Sequence, residues 1–295
     1  ITPFAPKEFG LARLAYTAAI GADGTEVTIG GHVAKSQPGG LLAEQDVDGR
    51  SVEIDIGIRH PFIRTRAGSL WGGIDFRVRD ASQTRSDERV RDDRMSILAA
   101  NASAVHQLPG GRLRGRMALI QGLDLFDATR RGDPLASRSD AGGVFTKLEA
   151  WAEFEQKLGG DFSFLAQAEG QIADGPLLSS EEMGLGGRYF GRAWDYREFS
   201  GDRGVAGSME LRFDVLGMPV PFQAVQLYGY ADAGTVSNYE NGTGGGSLAS
   251  AGGGIRFWLR NRMEAGLEVG VPLTDGSDPA AERDPRFSFT LGTRF

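Results

Sequence analysis

The stretch Ser-Val-Glu-Ile-Asp-Ile-Gly-Ile-Arg-His, residues 51–60, alternates apolar and polar side chains. Its apolar residues share one face of an extended chain: Val52, Ile54, Ile56 and Ile58. Its charged residues share the opposite face: Glu53, Asp55 and Arg59. Successive side chains of a β-strand point to opposite sides, so the pattern predicts a strand with one apolar and one charged face.

The same alternation recurs along the whole chain. It predicts about thirteen strands: 10–20, 25–36, 50–60, 68–79, 93–107, 110–123, 143–157, 160–172, 204–215, 222–233, 247–259, 262–272 and 286–295. Most of these segments contain about ten residues or more, whereas strands of soluble proteins usually contain about five or six. About ten residues is the length that a tilted strand needs to cross a bilayer.

The two faces of these strands differ in a way that favours a membrane. The polar faces carry both charge signs on long side chains, and the apolar faces are aliphatic and rich in Phe. This arrangement fits an apolar outer surface in lipid and a polar, wet lumen. We therefore predict an all-β fold, an antiparallel transmembrane β-barrel, since only a closed barrel pairs every strand in lipid. A soluble β-sandwich or barrel is the alternative that alternation alone also permits.

The links between strands alternate in length. Tight turns fall near residues 22–24, 108–111 and 159–160. Long polar links are predicted at residues 37–49, 80–92, 124–142, 173–203, 234–246 and 273–285. Short turns at one end and long loops at the other are typical of outer-membrane barrels. Phe295 ends the last alternating segment on its apolar face, as an aromatic residue at the membrane interface would.

Composition argues against several other classes of protein. The formal net charge of −7 disfavours a nucleic-acid partner, and the absence of Cys excludes disulfides and thiolate metal sites. His32, His60 and His106 are widely separated in sequence, so we expect no metal site and no cofactor. The adjacent Glu181 and Glu182 suggest a catalytic carboxylate pair, but acids beside arginines are explained more simply as the lining of a wet channel. We therefore expect no enzymatic activity.

One link has an unusual composition. Residues 186–204 read Gly-Gly-Arg-Tyr-Phe-Gly-Arg-Ala-Trp-Asp-Tyr-Arg-Glu-Phe-Ser-Gly-Asp-Arg-Gly, with four arginines, three acids and several aromatic residues. The stretch is too polar for a core strand and too rich in Gly for a helix. A regular strand follows it at once. A solvated surface loop would account for the composition, but so would a loop inside a polar lumen.

This region resembles the two-partner secretion transporters, the haemolysin secretion/activation family of outer-membrane proteins. Their superfamily also contains the insertases that assemble outer-membrane proteins. The residues that carry the resemblance are Leu185-Gly186-Gly187, Gly191-Arg192-Ala193-Trp194-Asp195-Tyr196, Ser200-Gly201-Asp202-Arg203-Gly204, 207–212 and Tyr230-Ala231-Asp232-Ala233-Gly234. Weaker similarity occurs at 59–64, 248–252 and 268–273. The resemblance follows the whole chain in order and is strongest after residue 185.

The resemblance implies that loop 173–203 folds back into the lumen and carries a Val-Arg-Gly-aromatic motif at its tip. The matching residues are Gly191, Arg192, Ala193 and Trp194, which depart from the motif at its first and third positions. The family's partner motif, Phe-x-Asp on the barrel wall, corresponds to Tyr230-Ala231-Asp232. Alternation independently points Asp232 and Tyr230 into the lumen. We therefore expect a bidentate pair between Arg192 and Asp232 that holds the loop in one geometry.

A row of cations is predicted in the lumen on one strand. Arg112, Arg114 and Arg116 share a face, opposite Leu113 and Met117. A row of acids, which we place a neighbouring hairpin away, consists of Glu149, Glu153 and Glu155. The cations either neutralise these acids or form a polar track for an unfolded chain, and the sequence favours neither interpretation.

The implied function is a pore in the outer membrane of a Gram-negative bacterium that secretes a large partner exoprotein, which passes unfolded through a lumen gated by loop 173–203. An assembly insertase is the alternative within the superfamily, and a passive porin is the alternative from another class. The family barrel has about sixteen strands, preceded by POTRA domains and a plug helix. We expect residues 1–295 to form one barrel domain that begins about three strands in and lacks the POTRA domains, and we expect a monomer.

Overall fold

The computed structural model describes residues 8–37, 46–217, 219, 221–240, 242, 244–259, 262–278 and 283–293. These residues form fifteen strands: β1 (Phe9–Ile20), β2 (Thr25–Ser36), β3 (Val47–Arg64), β4 (Gly68–Arg85), β5 (Glu88–Leu108), β6 (Gly111–Leu123), β7 (Thr146–Gly159), β8 (Phe162–Ala173), β9 (Met183–Leu185), β10 (Phe199–Gly201), β11 (Arg203–Val215), β12 (Phe222–Ser237), β13 (Gly246–Leu259), β14 (Met263–Pro272) and β15 (Arg286–Thr293). Within these ranges, no helix has the length and apolar character needed to span a membrane.

Thirteen of the strands form one antiparallel sheet in which each strand pairs with its neighbours in the chain. The one interruption is between β8 and β11, which pair with each other because β9 and β10 form a separate two-stranded sheet. β1 and β15 are the outermost strands of the sheet. Short turns connect the strands at one end, which we call the turn end. The longer links and the tight turn between β4 and β5 lie at the opposite end, which we call the loop end.

The predicted fold class is confirmed, and each of the thirteen predicted segments overlaps one strand of the large sheet. The prediction of a long loop at residues 80–92 is wrong, because β4 and β5 continue to a tight turn at Ser86 and Asp87. Both turn residues have positive φ, which lets the chain reverse between two polar but paired strands. The two three-residue strands β9 and β10 were not predicted, and Phe295 lies outside the described residues.

The two faces of the sheet meet different surroundings. On β3, Ile54 and Ile56 are exposed, with 64% of Ile54 accessible, whereas the neighbouring Glu53 is largely covered by other side chains. Exposed apolar side chains occur on the same face of most other strands. An apolar surface this extensive is stable in lipid and would promote aggregation in water. The charged face is therefore the inner face of the barrel wall.

Buried apolar side chains are concentrated towards the loop end, where loops cover the wall. One cluster joins the β6–β7 link and the start of the link after β8 to β5: Met95, Ile97, Ala99, Ile120, Ala141, Phe145, Ala173, Leu177 and Leu178. A second cluster joins the link between β8 and β11 to the wall: Met183, Leu185, Phe190, Ala206, Val236 and Leu248. The two clusters hold this link against the inner face.

Candidate functional site

Residues 174–202, which we call the lumen loop, connect β8 to β11 and lie against the charged face of the sheet. Glu181 contacts Arg79 on β4, whereas Arg192 contacts Glu268 on β14. β4 and β14 are eight positions apart in the sheet. A flat sheet would separate strands eight positions apart by roughly 40 Å, so the sheet curves around the loop. The predicted loop 173–203 therefore crosses the space that the barrel wall surrounds.

The tip of the lumen loop is fixed by its backbone as well as by its arginine. The N–H of Gly191 donates to Asp232 Oδ1 at 2.8 Å, and the N–H of Arg192 lies 3.4 Å from Asp232 Oδ2. The hydroxyl of Ser250 on β13 also donates to Asp232 Oδ1 at 2.7 Å. Asp232 on β12 is therefore largely occupied by groups other than the guanidinium.

The guanidinium of Arg192 binds acids on two other strands. Its Nη1 lies 3.1 Å from Glu210 Oε2 on β11 and 3.4 Å from Glu268 Oε2 on β14. Its Nε is 3.8 Å from Asp232 Oδ2, which is too long for a hydrogen bond. The expectation of a bidentate Arg192–Asp232 contact is thus wrong. The two residues form an ion pair, and the stronger side-chain bonds of Arg192 go to Glu210 and Glu268.

Glu210 is the centre of this group, and the sequence did not single it out. Only 1% of the residue is exposed. Besides Arg192, it accepts hydrogen bonds from Arg212 Nε at 2.5 Å and from Arg256 Nη1 at 2.7 Å. Glu210 lies opposite Tyr230 in the β11–β12 register, and the Arg192 guanidinium lies 4.2 Å from the centre of the Tyr230 ring.

We call these residues the tip cluster: Arg192, Arg212, Arg256, Glu210, Asp232 and Glu268. It contains three cations and three acids, so its charges balance without any group from outside the chain. Alternation alone would have placed Glu210, Glu268 and Arg256 on the inner face. Nothing local in the sequence, however, shows that their strands bring them to the same point.

The two departures from the family motif are explained by local geometry. Gly191 has a φ of +73°, and a Cβ there would lie 3.1 Å from the backbone of Gly186. The Val of the family motif would be strained in this conformation. Ala193 is buried against Gly270 of β14. Its methyl group lies where a side chain at position 270 would otherwise be. Trp194 packs against the second apolar cluster.

Glu181 and Glu182, the adjacent acids of the lumen loop, take part in separate interactions. Glu181 Oε1 accepts a hydrogen bond from Arg79 Nη1 at 3.0 Å, and its Oε2 is 3.0 Å from Lys147 Nζ. Glu182 instead binds Arg138 and Ser200. The first half of the lumen loop is thereby attached to β4 and β7, on the opposite side of the lumen from the tip cluster.

The predicted rows of cations and acids lie on adjacent strands, β6 and β7, and are in register. The prediction that the acids lie a neighbouring hairpin away is therefore wrong, because the two rows face each other on paired strands. Arg112 Nη2 lies 2.8 Å from Glu155 Oε2, and Arg114 Nε donates to Glu153 Oε1 at 2.8 Å. The third cation, Arg116, stacks over the ring of Trp151 at 4.6 Å, while Glu149 lies 2.7 Å from Lys147. Two of the three arginines, Arg112 and Arg114, are thus neutralised by acids of β7. Arg116 is not, and it faces the space beside the lumen loop.

That space is a cavity of about 980 Å³ between the lumen loop and strands β3–β8. Its charged lining residues are Arg59, Arg77, Arg79, Arg116, Lys147, Asp75, Glu149, Glu169, Glu181 and Glu182. Arg59 stacks over Trp71 at 4.8 Å, as Arg116 does over Trp151. The cavity is polar and wide enough for many water molecules. Within the described residues, no group of His, Cys, Asp and Glu has the arrangement of a metal site.

Comparison with known proteins agrees with this architecture. CdiB from Escherichia coli has a TM-score of 0.77 at 17% sequence identity, with 95% of this chain and 52% of CdiB aligned. CdiB from Acinetobacter baumannii has a TM-score of 0.73 at 17% identity, over 96% of this chain and 50% of that protein. BamA from Haemophilus ducreyi lacking POTRA domains 1–3 has a TM-score of 0.68 at 10% identity, over 97% of this chain and 63% of that one.

The chain thus spans about half the length of the two CdiB proteins. No curated protein sequence is significantly similar to it. The family model of the haemolysin secretion/activation protein ShlB/FhaC/HecB matches residues 13–257. The barrel is of the kind found in the outer membrane of Gram-negative bacteria, which is where this protein resides. The chain therefore belongs to the haemolysin secretion/activation protein family ShlB/FhaC/HecB.

Proposed function

We propose that this chain forms the pore of a two-partner secretion transporter, through which a large exoprotein crosses the outer membrane. Membership of the haemolysin secretion/activation family supports this function. The observation that carries the mechanism is the position of the lumen loop. It crosses the lumen from β4 to β14 and is held at both sides by ion pairs. A loop in this position obstructs the pore, so its displacement is the gating step.

The chemistry of the lumen suits an unfolded polypeptide. An extended chain offers backbone carbonyl and N–H groups at every residue, and these need polar partners wherever water is excluded. The walls of the cavity supply guanidinium, ammonium and carboxylate groups together with the ring of Trp151. In this proposal the lumen acts on the exoprotein without any covalent chemistry, and the transporter works as a monomer.

Secretion is the direct test. The full-length gene is expressed with the neighbouring exoprotein gene, and the culture medium is compared for wild type, Arg192→Ala and Asp232→Ala. Arg131→Ala is the control, because Arg131 pairs with Glu240 on the exposed surface and is not a member of the tip cluster. We expect wild type and the control to release the exoprotein, and both tip variants to insert in the membrane but to release little of it. Failure of the wild type to export would refute the proposal.

Two other functions predict different results. If the protein is an assembly insertase, loss of its gene depletes other outer-membrane proteins; the likeness to BamA, at 10% identity, extends only to the fold. If it is a passive porin, the purified barrel shows sustained solute conductance that Asp232→Ala leaves unchanged. Membership of the haemolysin secretion/activation family argues against the porin.

A further inference from the structure

A second group of charged residues lies at the loop end, between the lumen loop and two neighbouring long loops. Arg138, in the link between β6 and β7, is at its centre, with 10% of its side chain exposed. Its guanidinium donates to Asp140 Oδ1 at 2.8 Å, Glu182 Oε1 at 2.9 Å, Asp202 Oδ1 at 2.7 Å and the carbonyl of Tyr239 at 2.9 Å. One side chain therefore connects three separate loops.

Glu182 lies in the outgoing stem of the lumen loop, and Asp202 lies at the end of the returning stem. Asp202 is fully buried and also accepts the N–H of Leu177, at the start of the loop, at 2.8 Å. Glu182 accepts the hydroxyl of Ser200, near the end of the loop, at 2.7 Å. Each acid therefore joins the outgoing stem of the loop to the returning stem, and Arg138 binds both acids.

Arg138 is the main cation of this site, since the other one nearby, Arg197, lies 3.8 Å from Glu182 Oε2. Asp140, Glu182 and Asp202 are all buried, and three acids so close together are stable only when positive charge is present among them. Burial alone would lower the pKa of Arg138, but its bonds to Asp140, Asp202 and Glu182 raise that pKa above the usual value for arginine. The guanidinium therefore remains charged.

Two features separate the tip of the loop from this site: a pair of short strands, and a group of residues with positive φ on either side of the tip. The short strands β9 and β10 pair with each other and clamp the stems together. Directly beyond them lie residues with positive φ: Gly186 and Gly187 on the outgoing side and Arg197 on the returning side. Between them Tyr196 is 80% exposed, so the tip is packed less completely than the stems. Backbone rotation at these residues would move the tip without breaking the clamp.

We infer that Arg138 is a positioning residue that fixes both stems of the lumen loop at the loop end. Displacement of the tip then occurs about Gly186–Gly187 and Arg197, while residues 174–185 and 198–202 stay in place. The loop thus has two attachments with different tasks. The tip cluster is the attachment that opens, and Arg138 is the attachment that returns the tip to the same place. The inference deepens the proposed gate, but the position of the stems does not depend on what passes through the pore.

Hydrogen exchange on the full-length protein in detergent or lipid nanodiscs tests this inference. The variants are Arg138→Lys, Arg138→Met and Asp232→Asn, and the control is Arg131→Met. Lysine keeps the charge but cannot supply the planar set of donors that the five acceptor residues of Arg138 require. Arg131 joins the same two neighbouring loops through Glu240, and within the described residues it forms no ion pair with Glu182 or Asp202.

With Asp232→Asn, we expect peptides of the tip, residues 188–194, to exchange faster while stem peptides keep their wild-type protection. With Arg138→Lys, we expect exchange in the stems to rise at least about tenfold, since a hydrogen bond to a charged group is lost, and β11 to remain protected. With Arg131→Met, we expect no change. Gel mobility before and after heating shows whether Arg138→Met folds. If it does not fold, the inference is tested with Arg138→Lys alone.

Two results would overturn the inference. One is that Asp232→Asn accelerates exchange in the stems and the tip together, because the loop would then move as one body. The other is that both the Arg138→Lys and the control leave the stems equally protected. Neither measurement requires the exoprotein. A failure here is therefore distinguishable from a failure to secrete, which would refute the transport function and leave the attachment of the stems untouched.

Discussion

Glu210 determines how the lumen loop meets the wall. It is the acceptor shared by the arginine of the loop tip and by two arginines of the wall, Arg212 and Arg256. Without its negative charge, three guanidinium groups would face one another in a region with little access to water. Asp232 has a different task, because its main partners are backbone N–H groups and the hydroxyl of Ser250. One acid neutralises the tip and the other orients it.

We therefore expect Glu210→Gln to destabilise the barrel by about 3 kcal/mol, the scale of removing one partner from a buried ion pair. Glu268→Gln is the matched comparison, since Glu268 also binds Arg192 but is more exposed and pairs with two arginines fewer than Glu210. It should cost about 1 kcal/mol. Urea-induced unfolding from lipid vesicles measures both. Equal losses for the two variants would show that Glu210 is not the centre of the cluster.

The conformation of Gly191 gives a prediction that runs against the family pattern. Gly191→Val introduces the residue that the family motif carries, but at a φ of +73° a β-branched side chain costs about 1–3 kcal/mol. We expect the tip to lose its bond to Asp232, and trypsin to cut after Arg188, Arg192 or Arg197 more rapidly than in wild type. Gly175→Val is the control in the same loop, because a side chain there meets open space at an ordinary φ. Equal cleavage of both variants would contradict the prediction.

At the scale of the element, the strands were predictable because period-two alternation persists wherever one face meets lipid and the other meets charge. The polar ends of β4 and β5 were missed because their residues alternate less clearly, although backbone pairing continues to Ser86 and Asp87. β9 and β10 were missed because three residues are too few to show a period. The predicted set of partners for Arg192 was incomplete for another reason. Glu210 and Glu268 reach it through the cross-strand register of β11–β14, which no local pattern records.

The outward face of β11 tests the orientation of the wall. Met209 lies near the middle of this strand and points outward, so Met209→Arg should cost about 2–4 kcal/mol, as expected for a cation at the centre of the bilayer. Leu216, just beyond the turn end of β11, is equally apolar and exposed, and Leu216→Arg should cost at most about 1 kcal/mol. Unfolding from vesicles measures the difference. A similar cost at both positions would argue that this face does not lie in lipid.

At the scale of the whole molecule, the lumen is divided into two unequal parts. The lumen loop fills the side next to β11–β14, where the tip cluster lies, and leaves the cavity of about 980 Å³ along β3–β8. The charged lining of this cavity contains five cations and five acids, so its field is balanced. Ions that pass while the loop is in place must use this side, since the other is packed with side chains. The resting pore should therefore conduct weakly and show little preference for the sign of the ion.

Arg116 offers a way to change that balance without touching the loop. It stacks on Trp151 and projects into the cavity, so Arg116→Glu replaces a positive charge by a negative one in the path of the ions. We expect the reversal potential in a salt gradient across a planar bilayer to shift towards cation selectivity. Arg131→Glu makes the same change of charge on the exposed surface and should leave the reversal potential near that of wild type. If Arg116→Glu also leaves it unchanged, the resting current does not flow along β3–β8, and ions must pass through a lumen from which the loop has already moved.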